Sequence, residues 1–138
     1  MLDKALKIAT KAHEGQLDKS GADYILHPIA VADMCNTDDE KIVALLHDVV
    51  EDTDVTLPRL RISGFSNDVV NAIDCITKRE GEIYDDYLKR VASNELSKAV
   101  KINDMKHNSD LGRYKSPTDA NIKRNEKYKK KLELLLNM

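Results

Sequence analysis

From Leu2 to Leu136 the apolar residues recur three and four positions apart, and nowhere do they alternate over the length of a strand. Side chains at that spacing share one face of an α-helix, whereas a strand would need a period of two. The pattern therefore predicts an all-α fold, a compact helical bundle. Leu2, Ala5, Leu6, Ala9 and Ala12 mark a first helix from Asp3 to about Gln16, and Leu17 to Tyr24 reads as a loop around Ser20-Gly21. Pro28 suits the first turn of a short helix ending near Asn36. Thr37 and Glu40 have the spacing of a capping box, and they open a helix with core face Ile42, Leu45, Leu46, Val49 and Val50.

Beyond Thr53 the pattern loosens. A brief helical turn is predicted at Leu57 to Leu60, and a helix capped by Ser66 covers Val69, Val70, Ile73 and Ile76. Further helices are predicted over 84–92, 95–108 and about 119–136. The last of these places Tyr128, Leu132, Leu135 and Leu136 on one side. Five Gly and three Pro leave little material for the many turns of a sandwich or barrel. A length of 138 residues suits one domain, here a core over 1–115 and one additional C-terminal helix.

Formal charge is −2, so no global basic field draws the chain to nucleic acid or a membrane surface. No apolar run approaches the ~20 residues of a membrane span. Cys35 and Cys75 stand alone, without metal or redox spacing, and read as small core residues of a reduced, cytoplasmic protein. Lys123, Arg124, Lys127, Lys129, Lys130 and Lys131 read as the solvated side of the last helix.

The chemistry concentrates between 33 and 54, where Asp33, Asp38, Asp39, Glu40, Asp48, Glu51, Asp52 and Asp54 face Lys41 alone. Acids at the start of a helix complement its dipole. Those in His47-Asp48-Val49-Val50-Glu51-Asp52 fall instead in a last turn, directly after the most apolar stretch of the chain. Carboxylates crowded there repel one another unless a cation or a proton intervenes, and a bound metal is the economical explanation. Helical neighbours diverge by about 100°, so His47 and Asp48 need ligands from other segments. His27 and Asp104 are the candidates. Two His and two carboxylates make a mixed nitrogen and oxygen set, suited to Mn²⁺ or Fe²⁺ and less well to Zn²⁺ or Mg²⁺.

Taken together these residues resemble the HD superfamily of metal-dependent phosphohydrolases. The extended pattern is Tyr24-Ile25-Leu26-His27-Pro28, then Ala44-Leu45-Leu46-His47-Asp48-Val49-Val50-Glu51-Asp52-Thr53, then Lys101-Ile102-Asn103-Asp104-Met105-Lys106-His107-Asn108. It is similar to the hydrolase domain of the RelA/SpoT family, and in particular to the small stand-alone alarmone hydrolases. The resemblance runs from about Ala5 to Arg113. It implies that His27, His47, Asp48 and Asp104 hold one Mn²⁺, and that Glu51 and Asp52 orient or deprotonate the attacking water. Lys19 and Ser20, in the loop, and Asn108 would face the nucleotide. The implied reaction removes the 3′-pyrophosphate of guanosine tetra- or pentaphosphate, giving GDP or GTP and pyrophosphate. The implied partner is thus a small nucleotide, with no synthetase module expected and the oligomeric state open.

The chain also departs from that family. Asp18 precedes Lys19-Ser20-Gly21 where the family commonly has Arg, and Ala22-Asp23-Tyr24 stands for a Glu-Pro-Tyr type turn. Asp104-Met105-Lys106-His107-Asn108 lacks the Arg usual after the Asp, and Ser109-Asp110-Leu111 replaces Met-Arg-Thr. These changes spare the metal set and fall on the nucleotide side. They keep two alternatives in view: an HD phosphohydrolase for a deoxynucleoside monophosphate or NADPH, and a non-catalytic domain that binds a nucleotide or a partner helix. His13 shares a face with Leu2, Leu6 and Ala9 and reads as a core histidine, while His107 is balanced between core and support for Asp104.

Overall fold

The computed structural model describes residues 1–138 as nine α-helices and one 3-10 turn, joined by short loops, with a single isolated β-bridge between Leu17 and Asp23. The helices are α1 (Leu2–Ala12), α2 (Leu26–Asp33), α3 (Asp38–Leu46), α4 (Val49–Asp52) and α5 (Leu57–Ile62). They continue as α6 (Asn67–Ile76), α7 (Tyr84–Ala92), α8 (Glu95–Asn108), the turn Leu111–Arg113 and α9 (Asp119–Leu136). No helix is long and apolar enough to cross a membrane.

The central element is α3. Ile42 to Leu46 are all buried, so the helix is enclosed on every side, and it packs against α1, α2, α6 and α8. Full burial of a Leu or Val side chain contributes about 1.5–3 kcal/mol. Removing Ile42 to Leu46 from water therefore holds in place the residues that follow them. On α1 the buried positions are Ala5 and Ala9, small enough to let α3 approach, while Leu6 stays 39% exposed. A second, smaller core joins Tyr87, Leu88 and Val91 of α7 to Met105 of α8 and Leu135 of α9. That core ties α9 onto α8. Leu136, predicted to share the packed side of α9, is exposed.

Local signals set most of the boundaries. Side-chain oxygens of Thr37, Thr56, Ser66, Asn94 and Thr118 each accept the backbone N–H three residues on, satisfying a donor that has no partner inside the helix. At α3 the box is offset by one residue: Glu40 reaches back to the N–H of Asn36 rather than of Thr37. Three predicted bounds shift. The first helix stops at Ala12, because the chain turns through Gly15 at φ 78°, a conformation open to glycine. The second runs Leu26–Asp33, with Pro28 still in its first turn. The third ends at Leu46 and restarts at Val49, so the continuous helix predicted through Glu51 and Asp52 is broken at His47-Asp48.

Candidate metal centre

The break between α3 and α4 builds the site. Asp48 sits at φ −104° and ψ −4°, off the helical path, which turns its carboxylate back toward the preceding ring. Asp48 Oδ2 then lies 3.0 Å from His47 Nε2, so two side chains that would diverge on an unbroken helix face one point. The start of α2 adds His27, and the third turn of α8 adds Asp104. Both are buried, as is His47. The ligand atoms of His27, His47 and Asp104 all fall within 4.8 Å of one another. Asp48 stands at the edge of that group, its carboxylate accepting a hydrogen bond from the Tyr24 hydroxyl.

Hydrogen bonding fixes what each nitrogen can do. His47 Nδ1 is 2.5 Å from the carbonyl oxygen of Ala44, which can only accept, so Nδ1 carries the proton. Nε2 then presents its lone pair. It is buried, 3.0 Å from an Asp48 oxygen and 3.3 Å from an Asp104 oxygen, in good hydrogen-bond alignment with neither. A lone pair facing two carboxylate oxygens is repulsive unless a positive charge lies among them. The surroundings accordingly push His47 well above the usual histidine range. Burial opposes this, and the charge of Asp48 and the contact with Asp104 outweigh it. A divalent cation answers the same demand with donors of suitable type, so the residues fit a metal.

On His27, Nε2 lies 2.7 Å from Asp104 Oδ1 and Nδ1 lies 2.6 Å from Nδ1 of His107. Burial, with His27 and Arg113 beside it, lowers His107 to about 4, so this ring stays neutral and can accept from the Nδ1–H of His27. His27 Nε2 is then free to bind a cation, an orienting contact of the kind metal-bound histidines use. Burial raises the Asp48 carboxyl, but His47 and the Tyr24 hydroxyl outweigh it and hold it near 2. Asp104 is likewise held well below the usual carboxylate range: burial raises it, and Lys101, His27 and His47 more than compensate.

Tyr24, to which the sequence assigns no role of its own, packs its ring on His13 at 4.8 Å while its hydroxyl anchors Asp48. Outer contacts of this kind support metal affinity by about 10–100-fold. A Tyr24→Phe protein should bind Mn²⁺ more weakly by that factor in a calorimetric titration, with its helical content unchanged. His13, read as a core residue, is buried and pairs with Gln16 at 2.9 Å.

The remaining predicted residues divide. Asn108 Nδ2 donates to Asp104 Oδ1 at 3.2 Å. Asp52 is exposed and its side chain makes no hydrogen bond; partial burial of the carboxyl, then the charges of Asp48 and Glu51, raise it. Glu51 accepts the backbone N–H of Lys78 at 2.8 Å, so one of its oxygens braces the end of α6. Ser20 is exposed and donates its N–H and hydroxyl to Asp18 Oδ1, at 2.8 and 2.7 Å.

Beside His27 lies a cavity of about 240 Å³, lined by Lys19, Asn108, Arg113, Tyr114, Arg124 and Tyr128 among others. Roomier clefts of about 370, 420 and 580 Å³ open elsewhere, but none is lined by any of the four candidate ligands, so chemistry rather than size selects the smaller one. Arg113 Nη2 sits 3.3 Å from Asp18 Oδ2. Arg124, predicted to be solvated with the rest of the basic stretch, instead has a buried Nη1 without a partner. Lys19, Arg113 and Arg124 thus line a space adjoining the candidate ligands.

The family model for the HD domain matches residues 5–107. A probable GTP pyrophosphokinase of Mycobacterium leprae is 33% identical over 130 residues, covering 85% of this chain and 16% of that protein. A guanosine-3′,5′-bis(diphosphate) 3′-pyrophosphohydrolase of Vibrio cholerae is 38% identical over 97 residues, covering 67% of this chain and 14% of that one. The chain thus spans less than a fifth of either curated relative. Among solved structures, a metazoan ortholog of SpoT that hydrolyzes ppGpp superposes with a TM-score of 0.76 at 22% identity, over 99% of this chain and 83% of that one. At that identity the likeness is one of fold.

Proposed function

The chain belongs to the HD-domain family, and from that membership we propose that it is a metal-dependent phosphohydrolase removing the 3′-pyrophosphate of guanosine tetra- or pentaphosphate. The single observation that carries the metal half of this reading is the convergence of the buried His27, His47 and Asp104, whose ligand atoms lie within 4.8 Å of one another with an Asp48 oxygen 3.0 Å from His47 Nε2. Relatives named for that substrate, together with a cavity holding three cations at the edge of the centre, support the nucleotide half. Residues 1–138 would act as one hydrolase domain, and two free cysteines suit a reducing cytoplasm.

His27, His47, Asp48 and Asp104 would hold the cation, and the mixed donor set suits Mn²⁺. When bound, the divalent ion supplies charge neutralisation for a phosphate group and makes a water molecule more acidic. The chain's own residues do the rest. Asp52 and Glu51 stand one helical turn beyond Asp48, placed to take the proton of the attacking water as the 3′-O–P bond breaks. Burial and like charge lift Asp52 toward the range a general base needs. Lys19, Arg113 and Arg124 meet phosphate charge, and Asn108 fixes Asp104 from the nucleotide side. Asp18, where a cation is usual, does not leave the cavity acidic, because it holds Arg113 at the wall.

The test is turnover of guanosine tetraphosphate by the Mn²⁺-loaded protein, with GDP and pyrophosphate followed separately. Stoichiometric release of both, stopped by a chelator and restored by excess Mn²⁺, is the expected result. Orthophosphate as the product, or no turnover by metal-loaded protein, would overturn the substrate.

A further inference from the structure

Asp104 divides its two oxygens between different partners. Oδ1 faces His27 Nε2 at 2.7 Å and His47 Nε2 at 3.3 Å, on the side of the candidate metal. Oδ2 lies 3.1 Å from the Nζ of Lys101, one turn earlier on α8. Lys101 is not a surface lysine: its side chain is 18% exposed, and its Nζ lies over the ring of Tyr87 at 5.4 Å. A lysine mostly withdrawn from water, with its ammonium on the outer oxygen of a buried carboxylate, is costly to keep unless that carboxylate must hold one orientation.

We propose that Lys101 is a positioning residue that keeps Asp104 a one-oxygen ligand of the divalent cation. The proposal rests on the metal reading above. With Oδ2 tethered, the carboxylate cannot swing to chelate through both oxygens, and a coordination position stays available for water or substrate. The ammonium also adds a fixed positive charge close to the site, which opposes a dication. Lys101 thus makes the metal bind less tightly and leaves it more useful.

This arrangement predicts an effect opposite in sign to that of a merely structural residue. Lys101→Met removes both the charge and the tether. Its Mn²⁺ affinity should rise roughly tenfold by calorimetric titration, since a unit charge near a dication in a partly desolvated site is worth about that factor. Its kcat on guanosine tetraphosphate should fall at least about tenfold with KM unchanged, because the group acts through Asp104 and not on substrate. Lys101→Arg, which restores charge and donor, should return both values toward wild type. Lys101→Gln keeps a donor without the charge, so it should bind Mn²⁺ more tightly while losing less turnover than the Met variant, and it carries the test if the Met variant does not fold. Mn²⁺ binding in the Met and Gln variants that is equal to or weaker than wild type overturns the proposal, as does failure of Arg to rescue. If the wild type binds Mn²⁺ but does not turn over the alarmone, only the substrate reading fails, and the titrations decide Lys101. A wild type that binds no Mn²⁺ overturns the metal reading and this proposal together.

Discussion

Replacing Asp104 with alanine is expected to abolish stoichiometric Mn²⁺ binding and to slow turnover of guanosine tetraphosphate on the order of 10³-fold or more, the scale seen when a central catalytic group is deleted. No other side chain in the protein joins as many parts of the site. Its oxygens meet His27, His47, Asn108 and Lys101 and so connect α2, the α3–α4 break and α8. The same substitution leaves Lys101 largely buried without its counter-charge, and breaking such a pair costs about 3–5 kcal/mol. A fall in metal-free stability should therefore accompany the loss of binding, read from urea unfolding with chelator present. Wild-type protein should gain stability when Mn²⁺ is added, through binding to the folded state alone, and the variant should gain none. Retention of one tightly bound Mn²⁺ per chain by Asp104→Ala would show that the cation is held elsewhere.

The fold was readable because its determinants are local. The predicted spans 84–92, 95–108 and 119–136 coincide with α7, α8 and α9, and caps at Ser66 and Thr37 act through bonds three residues long. What escaped was non-local. Ile42 to Val50 keeps helical periodicity across His47-Asp48, so nothing in the spacing signals the break that turns Asp48 toward His47. The candidate ligands were legible through their residue types and order. Their supports were not. Lys101 stands in the sequence pattern without a role of its own, Arg124 reads as part of a solvated basic face, and it is the packing of Tyr87 of α7 over Lys101 that withdraws the lysine from water. A signal did exist for Lys101: a cation three residues before a candidate ligand lies on the same helix face. Nothing local could have marked Arg124, whose burial depends on a cavity wall contributed by the loop after Leu17.

The second large effect concerns Asp52 and Glu51, and it separates binding from chemistry. The side chain of Asp52 makes no hydrogen bond and the residue is exposed, so Asp52→Asn removes a charge without disturbing the fold or the metal donors. Its kcat should fall about 10²–10⁴-fold, the usual contribution of a general base. Mn²⁺ affinity should be little changed, because the four candidate ligands are intact. Glu51→Gln is the informative partner. Its amide oxygen can still accept the N–H of Lys78, so the brace on α6 survives while the charge goes. A fall in kcat of similar size would then report proton transfer or water orientation rather than lost structure. If the two carboxylates act on one water, their effects will not multiply, and the double variant will be hardly slower than the worse single one. Independent losses that multiply would instead mean that each carboxylate serves a different step. Single-turnover rates for the four proteins at saturating Mn²⁺ distinguish these outcomes. If kcat is unaffected in both single variants, the base is neither residue, and the attacking water must lose its proton to another group at the centre.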